Sequence, residues 1–497
     1  MSRRPPAVVI GGGVGGLSTA IRLQAAGHQV TVVERNDVVG GKLATYERDG
    51  FTFDIGPSLI TLPHLLDETF RAAGTSLDDE LDLVRLDPQF RYHWRDDDRR
   101  GAGTLTLPDG PDAKAAAFEA FSEGAGAQWR EFDERGRTIW EISERTFFAG
   151  PMGNALQMLK RMRSPRDLLD IDAGRTLWTA ARRTFDDPRL HQWAGRYATY
   201  SGSSPLEAPA TLSCIPHVES EYGCWYPMGG LGALADAYER VAIGLGVEIV
   251  TGADVVSITK APHRVTGVEL ADGSYVDGAI VVANVDARHL YTDLLPDQRE
   301  LNRVKRASRS TSGFVLCLGV RDTTPDLAHH NVWFSADFQQ EFRQIANGEL
   351  ADDPTIYACV SSVTDPSQVP EPGKNETTGG ENWFVLVNTP PGAEVDSEDY
   401  RDVVLARLAQ HGVDLRRRLR FAAHLTPADI ESKYRSPGGA IYGTSSNGRN
   451  AAFRRPANRG PVGGLYLVGG SSHPGGGLPL VSISARIVAD LVADDLS

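Results

Sequence analysis

Gly11, Gly13 and Gly16 stand in the order GxGxxG, and an acid, Glu34, follows downstream. That set can hold an adenine dinucleotide. Gly11 permits a tight turn, Gly13 lets backbone approach a pyrophosphate, and Gly16 allows close packing behind the turn. Glu34 can accept hydrogen bonds from a ribose. More glycine turns follow at Gly40-Gly41-Lys42, within ERNDVVGGK, and at Gly56-Pro57-Ser58, which closes DGFTFDIGPS. Another lies near the end of the chain, GGSSHPGGGLP, from Gly469 to Pro479. Glycines ahead of a helix bare N–H groups, and a helix N-terminus favours an anion or an electron-rich atom.

The elements that must position these residues are legible. Ala7 to Ile10 predicts a buried strand leading into the first turn. A helix carries Leu17, Ala20, Ile21 and Leu23 and ends near Gly27, and Gln29 to Val33 forms a second strand before Glu34. Strand, glycine turn, helix, strand and acid make up the context the motif requires. A common NAD domain would continue into further strand–helix units. This chain lays down more glycine turns instead, as over an extended cofactor. At the other end, GLYLVG predicts a short strand and LVSISARIVADLV a helix, with the last glycine loop between them.

The chain has 497 residues, too many for one ordinary core, so two or more domains are expected. With 41% apolar and 23% charged residues it has the composition of a soluble globular protein. A net charge of −14 argues against nucleic acid as a partner. Cys214, Cys224, Cys317 and Cys359 form no CxxC pair, which fits a reducing cytosol and gives neither a metal site nor a disulfide framework. No apolar run is long enough to span a membrane, and residues 1–10 show no signal-peptide pattern.

The GxGxxG turn, Glu34 and Gly40-Gly41-Lys42 together resemble the FAD-containing amine oxidase and carotenoid desaturase superfamily. SGSSPLEAPATLS (Ser201 to Ser213), WYPMGGLGAL (Trp225 to Leu234), LAHHNVWFS (Leu327 to Ser335), YRSPGGAIYG (Tyr434 to Gly443) and the closing glycine loop narrow this to bacterial carotenoid desaturases and oxidases. The resemblance runs from about residue 7 to about residue 493. It implies an α/β fold: a discontinuous Rossmann-type FAD-binding domain, with a mixed sheet and a helical substrate domain. The implied division is 1–80, 215–300 and 430–497 for FAD, 81–214 for a helical substrate and membrane-contact region, and 301–429 for a substrate-binding sheet. The residues implied around FAD are Gly11, Gly13, Gly16, Glu34, Arg35, Gly40, Gly41, Lys42, Gly56, Pro57, Ser58, Val255, Gly469, Gly470, Pro479 and Leu480. Pro479-Leu480-Val481 departs from the Pro-Gly-Val of many family desaturases, and subgroups acting on shorter or partly desaturated chains, with the terminal-methyl oxidases, look closer to it.

The implied activity is FAD-dependent desaturation of an acyclic carotenoid of thirty or forty carbons. A terminal-methyl oxidase or oxygenase and a carotene isomerase are alternatives on the same scaffold, and a prenyl-lipid escort is the non-enzymatic one. An amine oxidase would carry an aromatic cage and a cysteine bonded to the flavin or a lysine facing it, which the sequence does not display. A hydrocarbon substrate calls for an apolar tunnel, for which Tyr197, Tyr200, Trp225, Tyr226, Trp333 and Phe334 are candidates. Candidate proton acceptors are His330, His473 and Glu221. Dioxygen or a quinone is the expected electron acceptor, with no nicotinamide site. PMGNALQMLKRMRSP (Pro151 to Pro165) places Met152, Leu156, Leu159 and Met162 on one helical face beside basic residues. A helix lying on a membrane surface and a core-facing helix both fit it. The expected location is cytoplasmic, at the membrane periphery.

Overall fold

The computed structural model describes residues 4–96, 101–152, 160–373 and 379–497. Strand β1 (Ala7–Ile10) is buried throughout. Gly11 follows at φ +92°, which glycine adopts at no steric cost, and turns the chain into α1 (Val14–Ala25) and then β2 (Val30–Val33). The chain then leaves to form β3 (Phe90–Trp94), β4 (Gly103–Leu107), α2 (Ala125–Thr146), α3 (Pro188–Arg196) and α4 (Cys214–Tyr222). It returns as β5 (Glu248–Val250), the strands β6 (Val255–Ala261), β7 (Arg264–Leu270) and β8 (Tyr275–Asp277), and β9 (Ile280–Ala283). A second excursion carries β10 (Ser312–Val320), β11 (His330–Trp333), α5 (Phe338–Ala346), β12 (Ile356–Val360), β13 (Glu381–Thr389) and β14 (Leu419–Leu425). The chain closes with β15 (Leu465–Leu467) and α6 (Leu478–Leu496).

These strands sort into two main sheets. One is parallel, in the order β15-β9-β1-β2-β5, so its five strands come from three distant stretches of sequence. Helices α1 and α6 pack together beside it, and β6, β7 and β8 form an antiparallel ribbon. The other sheet has seven strands in the order β14-β10-β13-β12-β11-β3-β4. It is mixed: β11 and β3 run parallel and the other pairs antiparallel. Along β10 the side chains alternate. Phe314, Leu316 and Leu318 pack with Tyr400, Val404 and Leu408 of the helix Ser397–Gln410, and Val315 and Cys317 face the other way. The fold is thus α/β, with a discontinuous Rossmann-type unit and a second, mixed sheet.

Residues 81–214 are helical by expectation, but that stretch begins with strands. Phe90–Trp94 alternates buried and half-buried positions, as a strand between two environments does, and β3 with β4 extends the large sheet. Of the methionine-rich helix, residues 153–159 lie outside the described residues.

Behind the first turn there is no room. A Cβ on Gly16 would lie 2.0 Å from the Gly11 carbonyl oxygen, whereas one on Gly244 would meet nothing within 4 Å. G16A must push α1 off β1, a cost of about 2 kcal/mol or more. It is expected to melt several degrees below the wild-type protein, with G244A at or above it. Equal melting temperatures for the two variants would contradict this packing.

Candidate functional site

One continuous cavity of about 480 Å³ begins at the carboxyl ends of β1 and β2 and reaches the large sheet. Ligands of open α/β sheets bind at such strand ends. Its first part is a backbone cradle. A Cβ on Gly11 would come within 2.8 Å of the Asn284 carbonyl oxygen. Cβ atoms on Gly15 and Gly469 would lie 2.8 and 2.7 Å from the Asn284 Oδ1. Asn284 Nδ2 donates to the Gly11 carbonyl at 3.1 Å, so one side chain is bonded to the first turn and packs against the last loop. Glu34 is buried at the end of β2. Its Oε2 accepts from the Gly12 N–H at 2.7 Å and its Oε1 from the Asn36 N–H at 2.9 Å. Oε1 also accepts from Asn36 Nδ2 at 2.6 Å, which leaves a lone pair on Oε2 for a ribose. Arg35 reaches over to donate to the Ser432 and Lys433 carbonyls, and Val255 lines the wall nearby.

Lys42 donates to the Ile441 carbonyl in the cavity wall. Burial pushes its ammonium down to about 8, against the opposing pull of Asp286. The last loop is held from behind by residues carrying no sequence signal. Arg455 donates from Nη1 to the Gly470 carbonyl at 3.0 Å and from Nη2 to the Thr444 carbonyl at 3.0 Å. Asn458 Nδ2 and Ser484 Oγ both donate to the His473 carbonyl, at 2.8 and 2.9 Å.

Further in, the cavity is floored by Val315, Phe384 and Leu386 of the large sheet and walled by Phe338 and Phe342 of α5. Asp337 caps α5, accepting from the Gln339 and Gln340 N–H groups at 3.1 and 3.0 Å. That fixes Phe338, Glu341, Phe342 and Ile345 on one buried face. Tyr357, between floor and wall, shares hydrogen bonds with Ser58 Oγ at 2.5 Å and His330 Nδ1 at 2.9 Å. Two ionisable groups also line this part. Arg196 is the last residue of α3. Glu341 accepts at Oε2 from Ser335 at 2.9 Å and Thr355 at 2.6 Å, while its Oε1 has no partner. Burial pushes the Glu341 carboxyl up to about 7.

Of the residues implied around the cofactor, Gly11, Gly13, Glu34, Arg35, Gly40, Gly41, Lys42, Gly56, Pro57, Ser58, Val255, Gly469, Gly470 and Pro479 all line this one cavity. Gly16 lies behind the turn, as its packing role requires. Leu480 turns away, because the first turn of α6 gives Leu478, Pro479 and Val481 to the cavity and packs Leu480 on the core.

None of the three candidate proton acceptors lines the cavity. His330 is enclosed, stacked on Phe90 at 4.8 Å, and burial pushes its imidazole well below the ordinary value. His473 sits under the last loop against Phe147, bonded to the Gly150 carbonyl at 3.1 Å, and burial lowers it to about 4. Glu221 is exposed on α4. Of the six aromatic tunnel candidates only Tyr200 lines the cavity. Tyr197, Tyr226, Trp333 and Phe334 are core residues, and Trp225 packs over Arg85. The polar pair Arg196 and Glu341 escapes the motifs because neither sits in a recognisable spacing. The one available signal is that Arg196 adjoins Tyr197. The fold also gathers His329, His330 and Cys359, whose ligand atoms lie within 4.8 Å of one another, a cluster invisible in the spacing of those residues.

The glycine-lined backbone cradle and the buried Glu34 carboxylate fit an adenine dinucleotide of FAD type. The model of the flavin containing amine oxidoreductase family matches residues 14–493. The chain is 36% identical over 499 residues to a 4,4'-diapolycopene oxygenase of Methylomonas sp, covering 98% of each protein. It is 35% identical over 495 residues to the 4,4'-diaponeurosporene oxygenase of Staphylococcus aureus, covering 98% of this chain and 97% of that one. Among solved structures it resembles an oxidoreductase from Methanosarcina mazei (18% identity, TM-score 0.64, 98% of this chain and 100% of that one). It also resembles a putrescine oxidase bound to putrescine (14% identity, TM-score 0.65, 99% of each). At these identities the structures speak for the fold alone.

Glu341 gives a pH signature. Its carboxyl holds a proton in the folded state up to about pH 7, against about 4.5 in the unfolded chain. It therefore favours the fold below about pH 4.5, and that contribution is lost as pH rises through about 7. The loss is on the order of 3 kcal/mol. Melting temperatures of wild type and E341Q are expected to diverge across this window, with wild type losing ground as pH rises. A constant difference would contradict the assignment.

Proposed function

Since the chain belongs to the flavin-containing amine oxidoreductase family and is an FAD-dependent oxidoreductase, we propose that it oxidises an acyclic carotenoid of thirty or forty carbons. The observation that carries this reading is the continuity of the cavity: a backbone cradle for a dinucleotide opens directly onto a floor of Val315, Phe384 and Leu386. Terminal-carbon oxidation is the reading we place first. Full-length identity of 35–36% to two proteins named as oxygenases of acyclic carotenoids supports it. Desaturation, which sequence alone puts first, uses the same cavity and cofactor and is the second reading, supported by the same apolar floor.

When bound, FAD supplies a two-electron acceptor for hydride removed from carbon, and dioxygen or a quinone is the proposed terminal acceptor. The protein supplies position and dryness. Gly11, Gly13, Glu34, Gly469 and Gly470 would hold the dinucleotide portion. Gly56, Pro57 and Ser58 would lie toward its ring, with Ser58 anchored by Tyr357. The start of α6, at Leu478 and Pro479, presents a positive helix end to the cavity, which favours negative charge gained on reduction. Phe338, Phe342, Phe384 and Leu386 exclude water and orient an apolar chain.

The substrate class implies access from lipid. Among the described residues no helix is long and apolar enough to cross a membrane. Leu168 and Leu169 are 50% and 79% exposed, beside exposed Lys160, Arg163 and Arg166, and this patch supports docking on a membrane surface.

The purified protein is expected to show a flavin absorption spectrum and to convert acyclic carotenoid presented in liposomes. Products gaining oxygen support the first reading and products lighter by two hydrogens the second; flavin with no turnover of either kind contradicts both. Replacing Leu168 and Leu169 together by serine is expected to weaken cosedimentation with lipid vesicles several-fold while leaving the flavin spectrum unchanged. Undiminished cosedimentation would remove the patch from the docking surface.

A further inference from the structure

Arg196 is enclosed, at 7% exposure, and feels the Glu219 carboxylate only through space, without an ion pair. Its guanidinium carbon lies 4.9 Å from the ring centre of Phe90, 5.4 Å from Tyr200, 5.5 Å from Tyr357 and 5.7 Å from Tyr92. The nearby buried carboxylate, Glu219, is already engaged: Oε2 accepts from Tyr197 at 2.7 Å and Oε1 from the Tyr200 hydroxyl. Among the described residues Arg196 forms no ion pair, and its Nη1 has no hydrogen-bond partner. It lines the cavity.

Arginine stays protonated at any working pH, and its guanidinium is donor-only. The aromatic faces attract the buried cation but offer its N–H groups no acceptor. The box of rings therefore tolerates the cation and orients it without satisfying it. A pure hydrocarbon in the same cavity leaves the guanidinium without an acceptor. An oxygen on the ligand would supply one to the part of the side chain that lines the cavity.

We infer that Arg196 binds a carbonyl or carboxylate oxygen at the end of an otherwise apolar chain, so that the cavity selects an end-oxidised polyene over its parent hydrocarbon. This rests on the reading that the cavity takes a polyene, and it deepens that reading by naming the end group. Arg196 is then a specificity-determining residue. A site that holds a desolvated donor also rejects ligands lacking the matching acceptor, because the donor stays unpaired.

The test is a titration of the FAD-loaded protein with three probes of equal chain length: an acyclic polyene hydrocarbon, its terminal aldehyde and its terminal carboxylate. Binding is followed by visible absorption. The wild-type protein is expected to bind the aldehyde or the carboxylate about tenfold or more tighter than the hydrocarbon. The aldehyde band is expected to shift to longer wavelength as its carbonyl accepts from a cation. In R196Q the preference falls toward one and the shift disappears, while R196K, which keeps the charge, retains part of both. Flavin content and melting temperature report folding, and the wild-type comparison stands without any variant. Equal affinity of the wild-type protein for the three probes, or an undiminished preference in R196Q, overturns the inference while leaving the polyene reading in place. Failure of all three probes to bind overturns both.

Discussion

The structure turns on one carboxamide. Asn284 follows β9, donates to the carbonyl of Gly11, and presses its Oδ1 against the places where Gly15 and Gly469 would carry a Cβ. Three segments remote in sequence meet there: the first glycine turn, the end of β9, and the last glycine loop. The contact leaves no room for a Cβ on either glycine, and Gly469 also needs glycine for its φ of +102°. The cradle is thus a closed arrangement whose geometry is set by a side chain, and the apolar chamber inherits its position from it.

Legibility in the sequence followed the range of the interaction that matters. Backbone chemistry at short range is readable, because a turn needs glycine at fixed spacing. Gly11, Gly13, Gly40, Gly41, Gly56, Gly469 and Gly470 converge on one cavity for that reason. Long-range packing is not readable. Arg196, Glu341 and Arg455 are ordinary residues until α3, α5 and the last loop are brought to the cavity. Asn284 had a signal that was available: a polar residue at the carboxyl end of an all-apolar strand, where parallel sheets place ligands. The strands β3 and β4 were hidden within a region of helical pattern, although the aromatic residues of FRYHW favour a strand. Tyr197, Tyr226, Trp333 and Phe334, read as a tunnel, form the core behind it, because large rings that look suited to a ligand suit one another equally well.

The polar groups of the chamber change how its chemistry is viewed. An apolar reactant gives charged residues nothing to hold, so the expectation was a greasy tube. The chamber instead keeps a cation in a ring of aromatic faces and a carboxyl with one free oxygen, the carboxyl held by the Ser335 and Thr355 hydroxyl groups. Both are costly to bury. The histidines nearest the sequence motifs are spent otherwise, His330 on Tyr357 and His473 on holding the last loop.

The parallel sheet also has a consequence for how the protein comes into being. Its edge strand β15 pairs with β9 but is synthesised only after the whole large sheet. A nascent chain emerging from the ribosome can form β1, α1 and β2 early, yet their cofactor turn stays open until Gly469 arrives. Domains generally mature in the order of synthesis. Here the first-made unit must wait for the last-made segment, so the apolar faces of β1 and α1 need shelter in the interval, and cofactor capture is a post-translational event.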